Sequence, residues 1–335
     1  MRRLRDWWPT FRERSSPACL HPSLEIHVPI SPTPVFFNML RCLAHSLRRH
    51  GGAYRDAPIV ATVGDTKVDA GLARRLPWLK PLGVELRWVR RKDFAARNYF
   101  ATGHQRWKYR HSSDVVLLLD ADVLIAGPLD ELVQSVYQQN VIAGMIAHCC
   151  PFERANQHHM NWAIMFRHCD AGKPRLEHEH TGWSWLSNDP RRRNCPAYFN
   201  YGVVCASRSI CSRIASVIDG LFDQVREIAD SVFAAQIALA VAIGKLNLAA
   251  AALPMRWNFA NVPELEALHA GELPQARILH LLGAHQFEKG RVFASLAAVQ
   301  DFASARNLSG INAHAQRILK EILPNVLHDE QKAAA

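Results

Sequence analysis

The chain has 335 residues, 49% of them hydrophobic and 21% charged; that excludes a disordered chain and suffices for one large α/β domain or two ordinary ones. Its net charge of +10, from 40 Lys and Arg against 30 Asp and Glu, fits an anionic partner: a sugar nucleotide, an acidic lipid surface or nucleic acid. The eight cysteines at 19, 42, 149, 150, 169, 195, 205 and 211 form no C-x-x-C pair. Neither a disulfide scaffold nor a common zinc or redox motif is indicated, and reduced, mostly buried thiols are expected.

Residues 1–23 read as a basic tail. Arg2, Arg3, Arg5, Arg12 and Arg14 surround Trp7, Trp8 and Phe11, and no apolar stretch follows, so this is not a secretory signal. The sharper reading is a weak membrane-surface contact, with aromatics in the interface and arginines on anionic headgroups. Without an export signal the expected compartment is the cytoplasm, any peripheral contact being with the inner face of a membrane.

Residues 24–30 alternate and are rich in β-branched side chains, which predicts a first strand. Ser31 to Pro34 is a turn. Phe36, Leu40, Leu43 and Leu47 have helical spacing, and Gly51-Gly52 ends a helix over 36–50. Strands follow at 58–63, closed by Gly64-Asp65, and at 84–89; a helix follows over 94–109. Val115 to Leu119 is a continuous apolar run, the mark of a strand covered on both faces. This alternation predicts an α/β fold with a mostly parallel central sheet and helices on both faces.

Residues 148–195 are rich in His, Trp and Arg, with little periodicity, and read as loops and short helices inserted over the sheet. A strand is predicted at 198–206 and helices at 209–229 and 231–244. The most apolar window, Val232 to Pro254, is broken by Gln236, Gly244, Lys245 and Asn247. Its uninterrupted parts fall short of the ~20 residues a membrane span needs, so it reads as a core helix followed by a strand. A short strand at 278–282 and an amphipathic helix over 311–327, interrupted at Pro324, complete the chain. The organisation expected is a single domain over 24–300, carrying the insertion, followed by a C-terminal helix and tail over 301–335.

The strongest chemical signal is the run from Asp114 through Leu119 into Asp120-Ala121-Asp122. Ligands of open α/β sheets bind beyond the carboxyl ends of strands, where these aspartates belong. Two adjacent carboxylates are costly unless something positive neutralises them. A hard cation such as Mn²⁺ or Mg²⁺ does so and keeps positions open for phosphate oxygens. In Tyr198-Phe199-Asn200-Tyr201-Gly202 a glycine interrupts an apolar strand, a sign of close approach by a ligand or another backbone. Asn200 offers both a donor and an acceptor to sugar hydroxyls. A strand also delivers His280, whose imidazole suits Mn²⁺. If both strands lie in one parallel sheet, their carboxyl ends share an edge and Asp120, Asp122 and His280 form one three-ligand site. Asp122 is expected to be the more critical carboxylate, with Asp120 acting partly through the nucleotide ribose.

Over roughly residues 24–290 the order of these features resembles the glycosyltransferase family 8 type of GT-A enzyme, a nucleotide-diphospho-sugar transferase fold. Asp120-Ala121-Asp122 resembles the family's D-x-D motif, whose aspartates bind Mn²⁺ and the donor diphosphate. Asn200 and Gly202 resemble its F-N-S-G segment, with Tyr201 in place of serine. Gln236 resembles the glutamine of its D-Q motif, and Leu253-Pro254 with Asn258 its L-P-x-x-x-N segment. His280 and Gly283 resemble the start of H-x-x-G-x-x-K-P-W, whose histidine completes the metal site. There are departures: Ala235 replaces the aspartate of D-Q, and Gln286, Phe287 and Glu288 stand where Lys-Pro-Trp would be, with Lys289 three places late.

The resemblance implies sugar transfer from a nucleoside-diphosphate donor, a UDP-sugar being favoured, with retention at the anomeric carbon. Gln236 would lie beneath the sugar's reacting face, and Asn200 would join it as a catalytic residue. Lys289 or Arg106 would meet the donor phosphates, Gly283 would line the same subsite, and Pro29, Ile30 and Asp65 would hold the base. The insertion would face the acceptor (carbohydrate, lipid or protein), with Trp162, Trp183 and Trp185 stacking on a pyranose ring. His178-Glu179-His180 could be a zinc fragment, although no finger-like spacing accompanies it. A sugar nucleotidyltransferase would need a glycine-rich basic loop after the first strand, and Ser31 to Pro34 is not one. Ala235 and the absent Lys-Pro-Trp favour, as the non-enzyme alternative, a sugar- or nucleotide-binding protein that has lost catalysis. No nucleic-acid-binding signature is present, so nucleic acid is not an expected partner.

Overall fold

The structure, a computed structural model, describes residues 21–182, 193–283 and 287–334, with side chains through Asp329. The basic segment 1–20 with Cys19, the tryptophans Trp183 and Trp185, and Gln286 lie outside the described residues.

β1 (Leu24–Ile30), β2 (Ile59–Val63), β3 (Val84–Trp88) and β4 (Val115–Leu119) run parallel. With β6 (Ile142–Ile146), β9 (Phe199–Ser207) and β10 (Ala250–Ala252) they form a sheet of order β10-β6-β9-β4-β1-β2-β3. β9 runs against both of its neighbours, so the sheet is mostly parallel. The carboxyl ends of β1, β2 and β4 therefore share one edge.

β4 is apolar throughout because it has core on both sides. Leu117 and Leu119 join Ile26 and Val28 of β1 on one face, whereas Val116 and Leu118 join Trp107, Val204 and Ala206 on the other. α1 (Pro34–His50), opened by a proline in its first turn, packs on the first face. α3 (Phe100–Lys108) packs on the second.

The chain leaves β4 through Asp120-Ala121-Asp122 into β5 (Val123–Ile125), which belongs to a small second sheet of order β11-β12-β5. Here β11 is Phe259–Ala260 and β12 is Ile278–His280. β12 runs antiparallel to β5, with His280 opposite Val123. The expected strand at 278–282 is thus shorter and does not belong to the parallel sheet. The shared edge that was to bring His280 to the aspartates is replaced by a direct antiparallel pairing one residue beyond Asp122.

Three predicted helices differ. The helix over 94–109 is two, Arg91–Arg97 and α3, because Asn98 adopts φ 52° between them. The segment 209–229 is also two, Arg208–Ala215 and Ile218–Ile228. The last helix runs Gly310–Ala334 straight through Pro324. Proline cannot donate to the carbonyl four residues earlier, but Pro324 and Lys320 are both exposed, so that carbonyl meets water.

This helix is part of the main core: Ile311, Ile318, Leu319, Ile322 and Val326 are buried with Leu40, Leu43 and Leu47 of α1. Arg41 donates to the Val326 carbonyl at 2.6 Å, and His45 pairs with Asp329 at 2.9 Å. The seven described cysteines are free thiols, six of them buried. No helix among the described residues is long and apolar enough to cross a membrane.

If the C-terminal helix is integral, truncating its core side chain destabilises the whole domain. Leu319→Ala should cost about 2–5 kcal/mol and keep a single unfolding transition in urea. A separate early transition, with the rest of the protein unaffected, would make the helix an appendage.

Candidate functional site

Asp120 continues the alternation of β4 onto the face covered by α3. Its backbone N–H donates to the Gly202 carbonyl at 2.9 Å, which carries the β4–β9 pairing one step past the strand. Two residues on, the Asp122 carbonyl accepts from Leu281 N–H at 2.8 Å, which extends the β5–β12 pairing. The two aspartates are therefore pinned by different sheets.

The ligand atoms of Asp120, Asp122 and His280 all lie within 4.8 Å of one another. Asp122 and His280 are buried, at 7% and 3% exposure, and Asp120 is half-buried. His280 Nε2 is 3.4 Å from Asp122 Oδ1, and Lys289 Nζ is 2.5 Å from Asp122 Oδ2.

Gly202 explains how the imidazole fits. A Cβ there would stand 2.2 Å from His280 Cε1. The glycine in this strand marks the close approach of a side chain, where a ligand or backbone was expected.

The tautomer of His280 is set from behind. Its Nδ1 lies 2.9 Å from Oδ1 of Asn258, an acceptor only, so Nδ1 carries a proton and Nε2 is the nitrogen that faces the carboxylates and would ligate a cation. Asn258 is fully buried, and its Nδ2 donates to Asn200 Oδ1 at 3.0 Å. Asn200 Oδ1 also accepts from Gly202 N–H at 3.0 Å. The acceptor half of Asn200 is thus consumed inside the protein, which corrects the expectation that it offers both halves to a sugar. Asn258 was visible in the sequence only as part of a motif; its position between Asn200 and His280 is a tertiary fact.

Arg106 is fully buried, donates to the Leu119 carbonyl at 3.0 Å, and stacks over Tyr201 at 5.1 Å. Trp107 Nε1 donates to the Tyr201 hydroxyl at 2.6 Å, so the residue standing where the family has serine roofs the arginine.

Burial pushes the Asp120 carboxyl up and the Asp122 charge adds to this, against the pull of Arg106. Burial would raise Asp122 too, but His280 and Lys289 overcome it and hold Asp122 well below the usual range. Asp122 is the more firmly ionised of the two. The donor set of two carboxylates and one oriented imidazole fits a divalent cation such as Mn²⁺ or Mg²⁺.

Three of the other expected residues lie at the same carboxyl edge. Pro29 and Ile30 end β1 opposite Thr62 and Val63, and Asp65 follows β2 with its Oδ1 accepting from Thr66 N–H at 2.5 Å. Gly283, at φ 83°, lies beside Lys289: a Cβ there would stand 3.7 Å from Lys289 Cγ. Gln236 is half-buried in the first turn of the helix Ala234–Lys245, and its amide has no hydrogen-bond partner among the described residues.

One expectation for the insertion fails. Trp162 is 2% exposed and packs on Phe152, Phe166 and Tyr198, so it fills a core and cannot stack on a sugar. His180 is buried on the Ala147 carbonyl at 2.9 Å, and among the described residues no three ligand-type side chains of the insertion converge. No sequence pattern pointed to His148, which is buried and lies close enough to His280, His269 and His180 for their charges to add to the burial that pushes it down to about 3.

No protein-family model matches the chain, and no curated protein matches it. Among solved structures it is similar to the galactosyltransferase LgtC in complex with donor and acceptor sugar analogues. The identity is 18% over 85% of this chain and 97% of that one, with a TM-score of 0.51. An active-site mutant of LgtC gives 17% identity over the same shares, also at 0.51. The chain has the GT-A-type α/β fold of these structures.

Proposed function

We propose that the protein is a metal-dependent glycosyltransferase that moves a sugar from a nucleoside-diphosphate donor, a UDP-sugar being favoured, to an acceptor, with retention. The observation that carries this reading is the convergence of Asp120, Asp122 and a tautomer-fixed His280 at the carboxyl edge of a GT-A-type sheet. LgtC, a structural neighbour solved with donor and acceptor sugar analogues, supports it.

A bound Mn²⁺ or Mg²⁺ would act as a Lewis acid on the departing diphosphate. Asp120, Asp122 and His280 Nε2 would hold it. Lys289, 41% exposed on its short helix, reaches from Asp122 towards the same space and would add positive charge where the leaving group gains negative charge. Arg106 acts from below, keeping Asp120 ionisable without touching the donor. The carboxyl ends of β1 and β2, with Pro29, Ile30 and Asp65, would receive the nucleoside. Gln236 and Asn200 Nδ2, which has no partner among the described residues, would face the transferred sugar, and the insertion 148–195 would face the acceptor.

The decisive experiment is a thermal-shift screen of nucleotide sugars with and without Mn²⁺. The matching donor should raise Tm by about 5 °C at a hundredfold excess over Kd, only with the metal. Asp122→Asn should abolish the metal-dependent part. A shift independent of metal, or one retained by Asp122→Asn, would remove the metal site from the reading.

Lys289 gives a second, two-signed test. Its pairing with Asp122 competes with the cation, so Lys289→Met should bind Mn²⁺ alone about two- to fivefold more tightly. The same variant should bind a nucleoside diphosphate more weakly in the presence of Mn²⁺. Both affinities moving in the same direction would show that the lysine does not exchange partners.

Gln236→Ala should lower turnover while leaving nucleotide affinity within about threefold, because an interaction made only in the transition state affects kcat. Full turnover in that variant would make the amide a solvated surface group.

A further inference from the structure

A second cluster of ligand-type side chains lies on the face of the sheet under α3, towards the amino end of β1. Glu25 and His27 project from β1, and His111 comes from the link between α3 and β4. All three are buried. Glu25 Oε1 meets His27 Nε2 at 3.0 Å and also contacts His111 Nδ1. Its other oxygen is held by Ser112 N–H at 3.2 Å, Ser112 Oγ at 3.1 Å and Ser113 N–H at 3.4 Å. The serines fix the carboxylate so that one oxygen faces two imidazole nitrogens. Among the described residues the nitrogen facing Glu25 is the only one in each ring with a partner; His27 Nδ1 and His111 Nε2 have none there. Tyr109 stacks on His27 at 5.5 Å and Arg87 lies over Tyr109 at 5.2 Å, which closes the outer side.

We propose that Glu25, His27 and His111 form a structural site for a transition-metal cation of the zinc class, distinct from the Asp120–Asp122–His280 site. The candidate ligand atoms lie within 4.8 Å of one another. A zinc tetrahedron with bonds near 2.0–2.1 Å has edges of about 3.3 Å, so the 3.0 Å separation of His27 Nε2 from Glu25 Oε1 is a few tenths from a coordination edge. Two imidazoles and one carboxylate are a zinc-type donor set and a poor one for Mg²⁺.

Each of the two ring nitrogens that face Glu25 donates its N–H to the carboxylate, and a bound cation would displace both protons. It would tie β1 to the link before β4 across 86 residues of chain, a loop long enough for cross-linking to matter for stability.

The test is Co²⁺ and Zn²⁺ titration of the full-length, chelator-stripped protein. Co²⁺ should give the intense visible absorption of a tetrahedral site, with one equivalent displaced by Zn²⁺, and Zn²⁺ should raise Tm. Asp122→Asn should retain both signals, whereas His111→Gln and His27→Gln should lose the absorption. No tetrahedral Co²⁺ absorption in the wild-type chain would overturn the proposal and leave a hydrogen-bonded Glu–His network. Loss of the absorption in Asp122→Asn would overturn it too, by placing the cation in the donor site. The glycosyltransferase reading stands or falls separately, on nucleotide-dependent Mn²⁺ binding.

Discussion

Two carboxylates one residue apart, at the end of a strand buried on both faces, repel each other and resist desolvation. Much of the structure around them answers that constraint. Arg106 lies beneath Asp120 with its guanidinium held by the Leu119 carbonyl and covered by Tyr201. His280 and Lys289 flank Asp122. These neighbours come from different chain segments and act unequally, which leaves Asp122 firmly ionised and Asp120 with a raised pKa. A pair so balanced can accept a dication without rearranging the strand that carries it.

The imidazole reaches this pair through backbone pairing and one missing side chain. β5 continues directly from the aspartates and pairs antiparallel with β12, which sets His280 beside Asp122. β9 pairs with β4 on the other side, and Gly202 leaves the space that the ring fills. Asn258 then joins the two sheets, accepting from His280 and donating to Asn200. The ring is thereby fixed in position and in tautomer, as a metal-binding histidine requires.

The two faces of the main sheet differ in what they carry. On one, α1 and the C-terminal helix bury a continuous apolar layer. On the other, under α3, apolar packing is interrupted by Glu25, His27 and Arg106 before the strand ends reach Asp120. Ser112 and Ser113 of the link to β4 hold Glu25, and the Leu119 carbonyl and Tyr201 hold Arg106, whereas His27 Nδ1 has no partner among the described residues.

Much of the alternation of strand and helix was legible, because period-2 and period-3.6 apolar patterns follow from local burial: Val115 to Leu119 and the helix beginning at Pro34 are examples. The aspartates were legible too, since carboxylates straight after a fully buried strand stand at the edge where ligands of such sheets bind. The breaks at Asn98 and near Ser216 were not, because a single residue's backbone angle leaves the apolar pattern intact. Pro324 misled for the opposite reason: on an exposed helix face water can meet part of the cost of the lost hydrogen bond, and the buried face carries the helix through. Local pattern was enough to say which side chains could do chemistry and that they sit at strand ends. It was not enough to say which of them meet. The antiparallel seating of His280, Asn258 behind it, the burial of Arg106 and Trp162, and the meeting of Glu25 with His111 all depend on contacts between residues far apart in the chain, and no local pattern encodes a partner at that distance.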